Sequence, residues 1–300
     1  MLVLLFIVVL SGLLGPSSLA QGDPVIAAAG DIACDPADGS FNGGAGTASA
    51  CRMKATSDLM VEMNLAAVLP LGDLQYGEGE LAKFHQSYAV TWGRLKSITR
   101  PVPGNHDYHT PKASGYYTYF GAAAGDPSKG YYSYNLGAWH LIALNSNCDD
   151  IGGCRAGSPQ ELWLKADLAA HPALCTLAYW HHPRFSSGPH GSDRSYDPFW
   201  QGLYQAGADV VLVGHDHDYE RFAPQDPAGT ADPARGIRQF VVGTGGANHY
   251  ALEARQPNSE IFNGNAFGVL VLTLHPKGYD WKFVPLPGTT FSDSGRADCH

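Results

Sequence analysis

The chain is predicted to fold as an α/β protein, and three observations predict it. Apolar runs of strand length recur along it, helical patterns lie between them, and most of the runs end at once in Gly or His. The runs cover residues 25–29, 66–71, 176–180, 210–213 and 239–242. Between the second and third, Leu81, Phe84, Tyr88, Trp92 and Leu95 follow the 3.6-residue period of a helix, and Ser158-Pro159-Gln160-Glu161 has the form of a capping box with Pro at the first helical position. Two hairpins interrupt the alternation. Residues 131–135 turn through Leu136-Gly137 into 139–144, and residues 269–274 turn through Pro276-Lys277-Gly278 into 279–284, so the sheets are expected to be mixed.

Composition narrows the function classes. The 300 residues carry a formal net charge of -9 and no block of Lys and Arg, which removes the electrostatic footprint of a nucleic-acid or anionic-membrane binder. A polyanionic partner would have to meet a metal instead. The 36 Gly and 15 Tyr suit a loop-rich enzyme better than a helical bundle. Residues 1–20 read as a signal peptide, with an apolar stretch from Leu2 to Leu14 and a small-x-small ending at Ser18-Leu19-Ala20, although no Lys or Arg precedes the apolar stretch. Residues 21–300 then form one domain, because no repeat or linker divides them. The expected location is secreted or periplasmic, with no membrane span left after cleavage.

The six cysteines suit that oxidising compartment. Cys34 with Cys51 and Cys148 with Cys154 would each close a short Gly-rich loop, which leaves Cys175 with Cys299. Fifteen connectivities are open in principle.

Five polar clusters follow in order: Gly30-Asp31, Gly72-Asp73-Leu74-Gln75-Tyr76, Gly104-Asn105-His106-Asp107, His181-His182-Pro183 and Gly214-His215-Asp216-His217. Each but the third follows a clear apolar strand. In open α/β sheets side chains converge beyond the carboxyl ends of strands, so these clusters are placed to share one site. Taken singly, each is explained by a capped turn. Together they set a metal-competent oxygen or nitrogen beyond strand after strand, and Asp, Asn, Tyr and His make an O/N ligand set for hard to borderline metals, not a thiolate site. His215 and His217 share a face, whereas adjacent His181 and His182 point opposite ways.

The order GD, GDxxY, GNHD, HxP and GHxHxYER resembles the calcineurin-like metallophosphoesterases, specifically the purple acid phosphatase branch, from Val25 to Arg221. The resemblance implies a four-layer sandwich, two mixed sheets flanked by helices, with metals at the C-terminal ends of strands. Many relatives in the wider superfamily carry Asp-x-His in the first motif. Here Ile32-Ala33 follows Asp31, and the resemblance implies that Tyr76 fills the gap. It assigns Asp31, Asp73, Tyr76 and His217 to one metal, and Asp73, Asn105, His181 and His215 to the other, with Asp73 bridging.

Charge agrees with that division. Three potential anions and one imidazole favour Fe(III), provided Tyr76 ionises; two neutral imidazoles, an amide and the shared carboxylate suit a divalent Zn, Mn or Fe. His181 is preferred to His182 because the family's ligand lies two residues before the Pro. By the same resemblance His106 faces substrate, able to bind phosphate or protonate the leaving group, with Asp107 orienting it, and His190 is a second phosphate-binding residue. The implied activity is hydrolysis of small phosphate monoesters by metal-bound hydroxide with no phosphoenzyme. A phosphodiesterase acting on nucleotides or phospholipid headgroups, and a non-catalytic metal-stabilised binding protein, are the alternatives. The run Tyr116, Tyr117, Tyr119 and Phe120 is expected to pack in the core and not to line a cleft.

Overall fold

The computed structural model describes residues 22–300, so the expected signal peptide lies outside the described residues. Two sheets form its centre. In the smaller, β1 (Val25–Ala29) runs parallel to β2 (Ala67–Pro70) and antiparallel to β10 (Gly268–His275), which continues through β11 (Gly278–Pro285) to β12 (Asp293–Asp298). The larger is ordered β3 (Tyr132–Leu136), β4 (Trp139–Ala143), β5 (Cys175–Tyr179), β6 (Val210–Val213), β8 (Arg238–Val242), β7 (Tyr219–Phe222) and β9 (Ser259–Asn263). Strands β4, β5, β6 and β8 are mutually parallel, and the hairpin and edge strands are antiparallel, so both sheets are mixed as expected.

Period-two alternation builds the layers. Leu177, Tyr179, Val210 and Leu212 face the smaller sheet and join Ile26, Ala28, Leu270 and Leu272 in one core. Their neighbours Ala178, Trp180, Val211 and Val213 face the other way, onto Leu164 of α4 (Pro159–Ala170) and Phe199, Trp200 and Leu203 of α5 (Asp197–Gln205). On the far side of the smaller sheet lie α1 (Met53–Val61) and the short α2 (Leu81–Lys83) and α3 (Ser114–Phe120). Tyr116, Tyr117, Tyr119 and Phe120 of α3 are buried in the first core, so their expected packing role holds.

The capping box also forms. The Ser158 hydroxyl accepts from Glu161 N at 3.4 Å, and the Glu161 carboxylate accepts from Gly157 N at 3.0 Å, one residue before the position a standard box would use. The helical pattern at 81–95, by contrast, breaks into α2, a wide turn over Phe84–Tyr88 and a 3₁₀ stretch over Trp92–Ile98. Side chains compete for its backbone groups: Gln75 Oε1 accepts from Tyr88 N, and the Thr91 hydroxyl donates to the carbonyls of Ser87 and Tyr88. All three expected disulfides are present, Cys34–Cys51, Cys148–Cys154 and Cys175–Cys299.

The last disulfide ties the chain's end to the start of β5, where Asp209 is buried. Its carboxylate accepts from Thr176 N at 2.9 Å and His300 N at 3.0 Å. Burial outweighs those bonds and raises its pKa to about 6 from an ordinary 3.8. A raised acid pKa means the folded state holds the proton more tightly, so this residue favours folding as pH falls from about 6 towards 4. Asp209→Asn cannot ionise. Urea denaturation should therefore show the variant gaining on wild type, by on the order of 1–2 kcal/mol, between pH 4.5 and pH 7. A constant difference across that range would rule the linkage out.

Candidate metal centre

Four of the five clusters leave the sheets at carboxyl ends of parallel strands: Asp31 after β1, Asp73 after β2, His181 after β5, and His215 and His217 after β6. The third cluster, which follows no apolar run, is carried instead by a short extended stretch whose Thr99 and Val102 bridge Val68 and Leu71 beside β2. The backbone is bent sharply to bring these groups together. Asp31, Asp73 and His215 all have positive φ, at 60°, 49° and 73°, a strained region for residues with a Cβ. Gly104 allows the third cluster to close on the second, because a Cβ there would overlap the Asp73 carboxylate and backbone.

The side chains converge with their lone pairs inward. Tyr76 Oη lies 2.9 Å from Asp31 Oδ1, 3.2 Å from Asp73 Oδ2 and 3.0 Å from His217 Nε2. His181 Nε2 lies 3.1 Å from Asn105 Oδ1, 3.2 Å from His215 Nδ1 and 3.3 Å from Asp73 Oδ2. Two of the imidazoles are fixed from behind: His181 Nδ1 donates to the Leu71 carbonyl at 2.8 Å, and His217 Nδ1 donates to Asn248 Oδ1 at 3.1 Å. Their Nε2 atoms therefore present lone pairs to carboxylate, phenol and amide oxygens. That is the orientation in which a metal-ligating His is held. Asp73 stands between the two groups, touching Tyr76 on one side and His181 on the other.

Without a cation, protons must serve. Burial pulls the pKa of His181 down, but the charge of Asp73 and its hydrogen bond overcome this and set it at about 9. Burial, followed by the charge of His181, lowers His215 well below the usual range. Burial pushes the Tyr76 phenol well above its ordinary value, and the charges of Asp31 and Asp73 add to the rise. Two buried carboxylates surrounded by acceptors are a costly arrangement unless positive charge sits among them. The donor set thus fits metal ions.

His106 stands beside this group. Its Nδ1 donates to the Gly77 carbonyl at 2.7 Å, and its Nε2 lies 4.0 Å from Asp73 Oδ2, with the side chain about a third exposed. Asp107 does not orient it, contrary to the expectation from sequence. Its Oδ2 accepts from Gly104 N at 2.9 Å and Leu74 N at 3.2 Å, so it fastens the third cluster to the second from behind. Being wholly buried, it has its pKa raised to about 7. A one-residue offset turns adjacent side chains apart, which is why His106 faces the cleft and Asp107 the interior.

His190 does reach the site. Its ring lies 4.0 Å from that of His215, and both its Nδ1 and its backbone N donate to Asp216 Oδ1, at 2.7 and 3.1 Å. Glu220 anchors the loop by accepting from Ser187 N at 2.9 Å, while Tyr219 and Arg221 bind Asp293 of β12 at 2.6 and 2.7 Å. The Tyr-Glu-Arg of the fifth motif is thus structural. It pins the His190 loop and ties the two sheets together.

Sequence reasoning missed Asn248, Tyr250 and the placement of His182. Asn248 holds His217, and the Tyr250 ring stacks on His217 at 4.0 Å. Both lie in the polar loop after β8, which ends in Gly as the site-bearing strands do, so the same rule applied once more would have found them. His182 does not turn away from His181 as strand alternation predicts, because the strand ends at Tyr179: its ring lies 4.8 Å from that of His181 and 4.4 Å from that of His215, with its Nδ1 2.7 Å from Ser146 Oγ.

Comparison with known proteins agrees. The model of the calcineurin-like phosphoesterase family matches residues 26–219, more than half of the chain. Purple acid phosphatase 18 of Arabidopsis thaliana is 29% identical over 238 residues, covering 72% of this chain and 52% of the relative. Probable purple acid phosphatase 20 of the same plant is 31% identical, covering 67% and 50%. The chain thus spans about half the length of these curated relatives. The fold matches that of purple acid phosphatase PPD1 from yellow lupin (Lupinus luteus) seeds, with a TM-score of 0.75 at 18% identity over 93% of this chain and 54% of that one. The motif order, the two mixed sheets and the converging polar side chains have one common explanation: the chain belongs to the calcineurin-like phosphoesterase family, on its purple acid phosphatase-like branch.

Proposed function

We propose that this chain is an exported hydrolase of phosphate monoesters that works with two metal ions in the cleft described above. The observation that carries the reading is the convergence of six candidate ligand side chains on either side of Asp73. Asp31, Tyr76 and His217 would hold one ion, and Asn105, His181 and His215 the other, with Asp73 shared. The anionic set suits Fe(III) and the more neutral set a divalent Zn, Mn or Fe. Bound there, the pair supplies hydroxide from water near neutral pH and offsets the charge of the phosphate.

The remaining work falls to the protein's own groups. With its Nδ1 proton given to Gly77 O, a charged His106 carries a second proton on Nε2, at the edge of the cleft, where it can pass to a departing alkoxide. His190, held by Asp216, stands on the opposite rim beside His215 and can bind a phosphate oxygen. Export is supported by the three disulfides and by the apolar stretch from Leu2 to Leu14 in the sequence. No helix among the described residues is long and apolar enough to cross a membrane.

Side-by-side hydrolysis of a chromogenic monoester and its matched diester, from acidic to neutral pH, tests the reading. Faster turnover of the monoester is expected. Turnover of the diester alone would keep the site and replace the substrate class.

A further inference from the structure

We propose a third metal site, distinct from the cleft, formed by His140, Asp167 and His171. One ring nitrogen from each imidazole and a carboxylate oxygen of Asp167 lie within 4.8 Å of one another. Topology makes the site. His140 stands on β4, and Asp167 and His171 lie one turn apart at the end of α4, the i,i+4 spacing that puts two ligands on one helix face. His140 pairs with Thr176, at the start of β5, whereas His181 lies beyond the end of that strand. Five residues of extended chain separate the two levels by about 16 Å.

Hydrogen bonding sets His140 in the form a metal needs. His140 Nδ1 is 2.8 Å from Asn135 Oδ1, an acceptor, so it carries the proton. In the neutral ring Nε2 then holds a lone pair, yet it faces Asp167 Oδ2 at 2.9 Å, another acceptor. A neutral ring can give its proton to only one of these two acceptors, and a metal at Nε2 would satisfy the other. His171 Nδ1 lies 2.9 Å from the Asp167 carbonyl and 3.1 Å from Asp167 Oδ1, so it is the ring nitrogen that faces the carboxylate, and a metal bound there would shift its proton to Nε2. The second carboxylate oxygen of Asp167 is steadied by Ser133 Oγ at 2.7 Å. A ring nitrogen of His140 held by an amide, with a carboxylate braced by a hydroxyl, forms part of the supporting shell usual around bound metals.

Two imidazoles and one carboxylate suit a borderline divalent ion such as Zn(II), with an open fourth position for water. Ligand atoms around tetrahedral zinc lie about 3.3 Å apart, so the 2.9 Å contact needs to open by only a few tenths of an ångström. His140 and Asp167 are buried, while His171 is half exposed and is the ring free to turn. The open side faces a groove between the β3–β4 turn and the end of α4, lined by Asn135, Gly137, Trp139 and His171. An ion there would clamp the hairpin to the helix. Its expected effect is on stability, not on turnover.

The test compares full-length mature wild type with His171→Ala, a half-exposed position where truncation leaves the core intact. Zn(II) is titrated by calorimetry after the cleft has been loaded and excess metal removed, and Co(II) is then used for its visible spectrum. Wild type is expected to take up about one further equivalent per chain, to show the intense visible bands of tetrahedral Co(II), and to melt several degrees higher with the metal than without. His171→Ala is expected to lose all three responses while keeping its cleft metals and its turnover. Asp167→Asn provides a second variant that removes the charge but keeps the shape. Equal uptake by wild type and His171→Ala, or no uptake by wild type, would overturn the proposal. Because the readout is a difference between variants, it stands apart from the number of ions the cleft holds.

Discussion

Asp73→Asn is expected to abolish hydrolysis and to cost the cleft both of its metals. The substituted amide keeps the shape but withdraws the charge shared between Tyr76 and His181. Asp31 reaches the second group only through the His215 backbone N, whereas Asp73 meets side chains of both groups. The expected fall in kcat/KM is roughly 10³-fold or more, because metal-supplied hydroxide and charge neutralisation are lost together. The fold should survive, since the metal-free protein loses a buried charge and not a packed side chain. Elemental analysis beside circular dichroism checks this: two metals missing from a folded chain is the expected pattern. A folded variant that keeps both ions and full turnover would remove Asp73 from the bridging position.

His106→Ala should leave metal content unchanged and slow chemistry by roughly 10²–10⁴-fold, the usual contribution of a positioned acid. The loss should depend on the leaving group. An alkyl phosphate releases a strongly basic alkoxide that needs the proton, whereas a nitrophenolate does not, so the alkyl substrate should suffer far more. Equal losses on both substrates would make His106 a binding residue. Loss of metal would instead place it among the ligands, which its bond to Gly77 and its 4.0 Å separation from Asp73 Oδ2 argue against.

Legibility in the sequence followed the locality of the physics. Strands β1, β5 and β6 were readable because fully buried parallel strands appear as short apolar runs that stop at Gly or His. Asp31, Asp73, His181 and His215 were readable because each sits at or just beyond such a stop, whereas Tyr76, Asn105 and His217 were placed by the order of the motifs. Strands β7, β9 and β12 were not: their sequences YERF, SEIFN and DSGRAD owe their extended form to partners far along the chain, as in the bond from Arg221 to Asp293. Residues 81–95 carried a true helical period that Gln75 and Thr91 override by taking backbone hydrogen bonds. The misreading of Asp107 has a similar origin. A carboxylate next to a candidate acid suggests a partner, yet alternation of side chains sent it to the backbone of Leu74 and Gly104. The His140, Asp167 and His171 cluster was also hidden, because a hairpin residue and the end of a helix meet there only through the fold.

Turnover of a phosphate monoester before and after exhaustive chelation, followed by reconstitution with Fe(III), with a divalent ion and with both, tests the central claim most directly. The expected result is that activity vanishes with the metals and returns in full only with the pair. Undiminished turnover by protein shown by elemental analysis to be metal-free would contradict it.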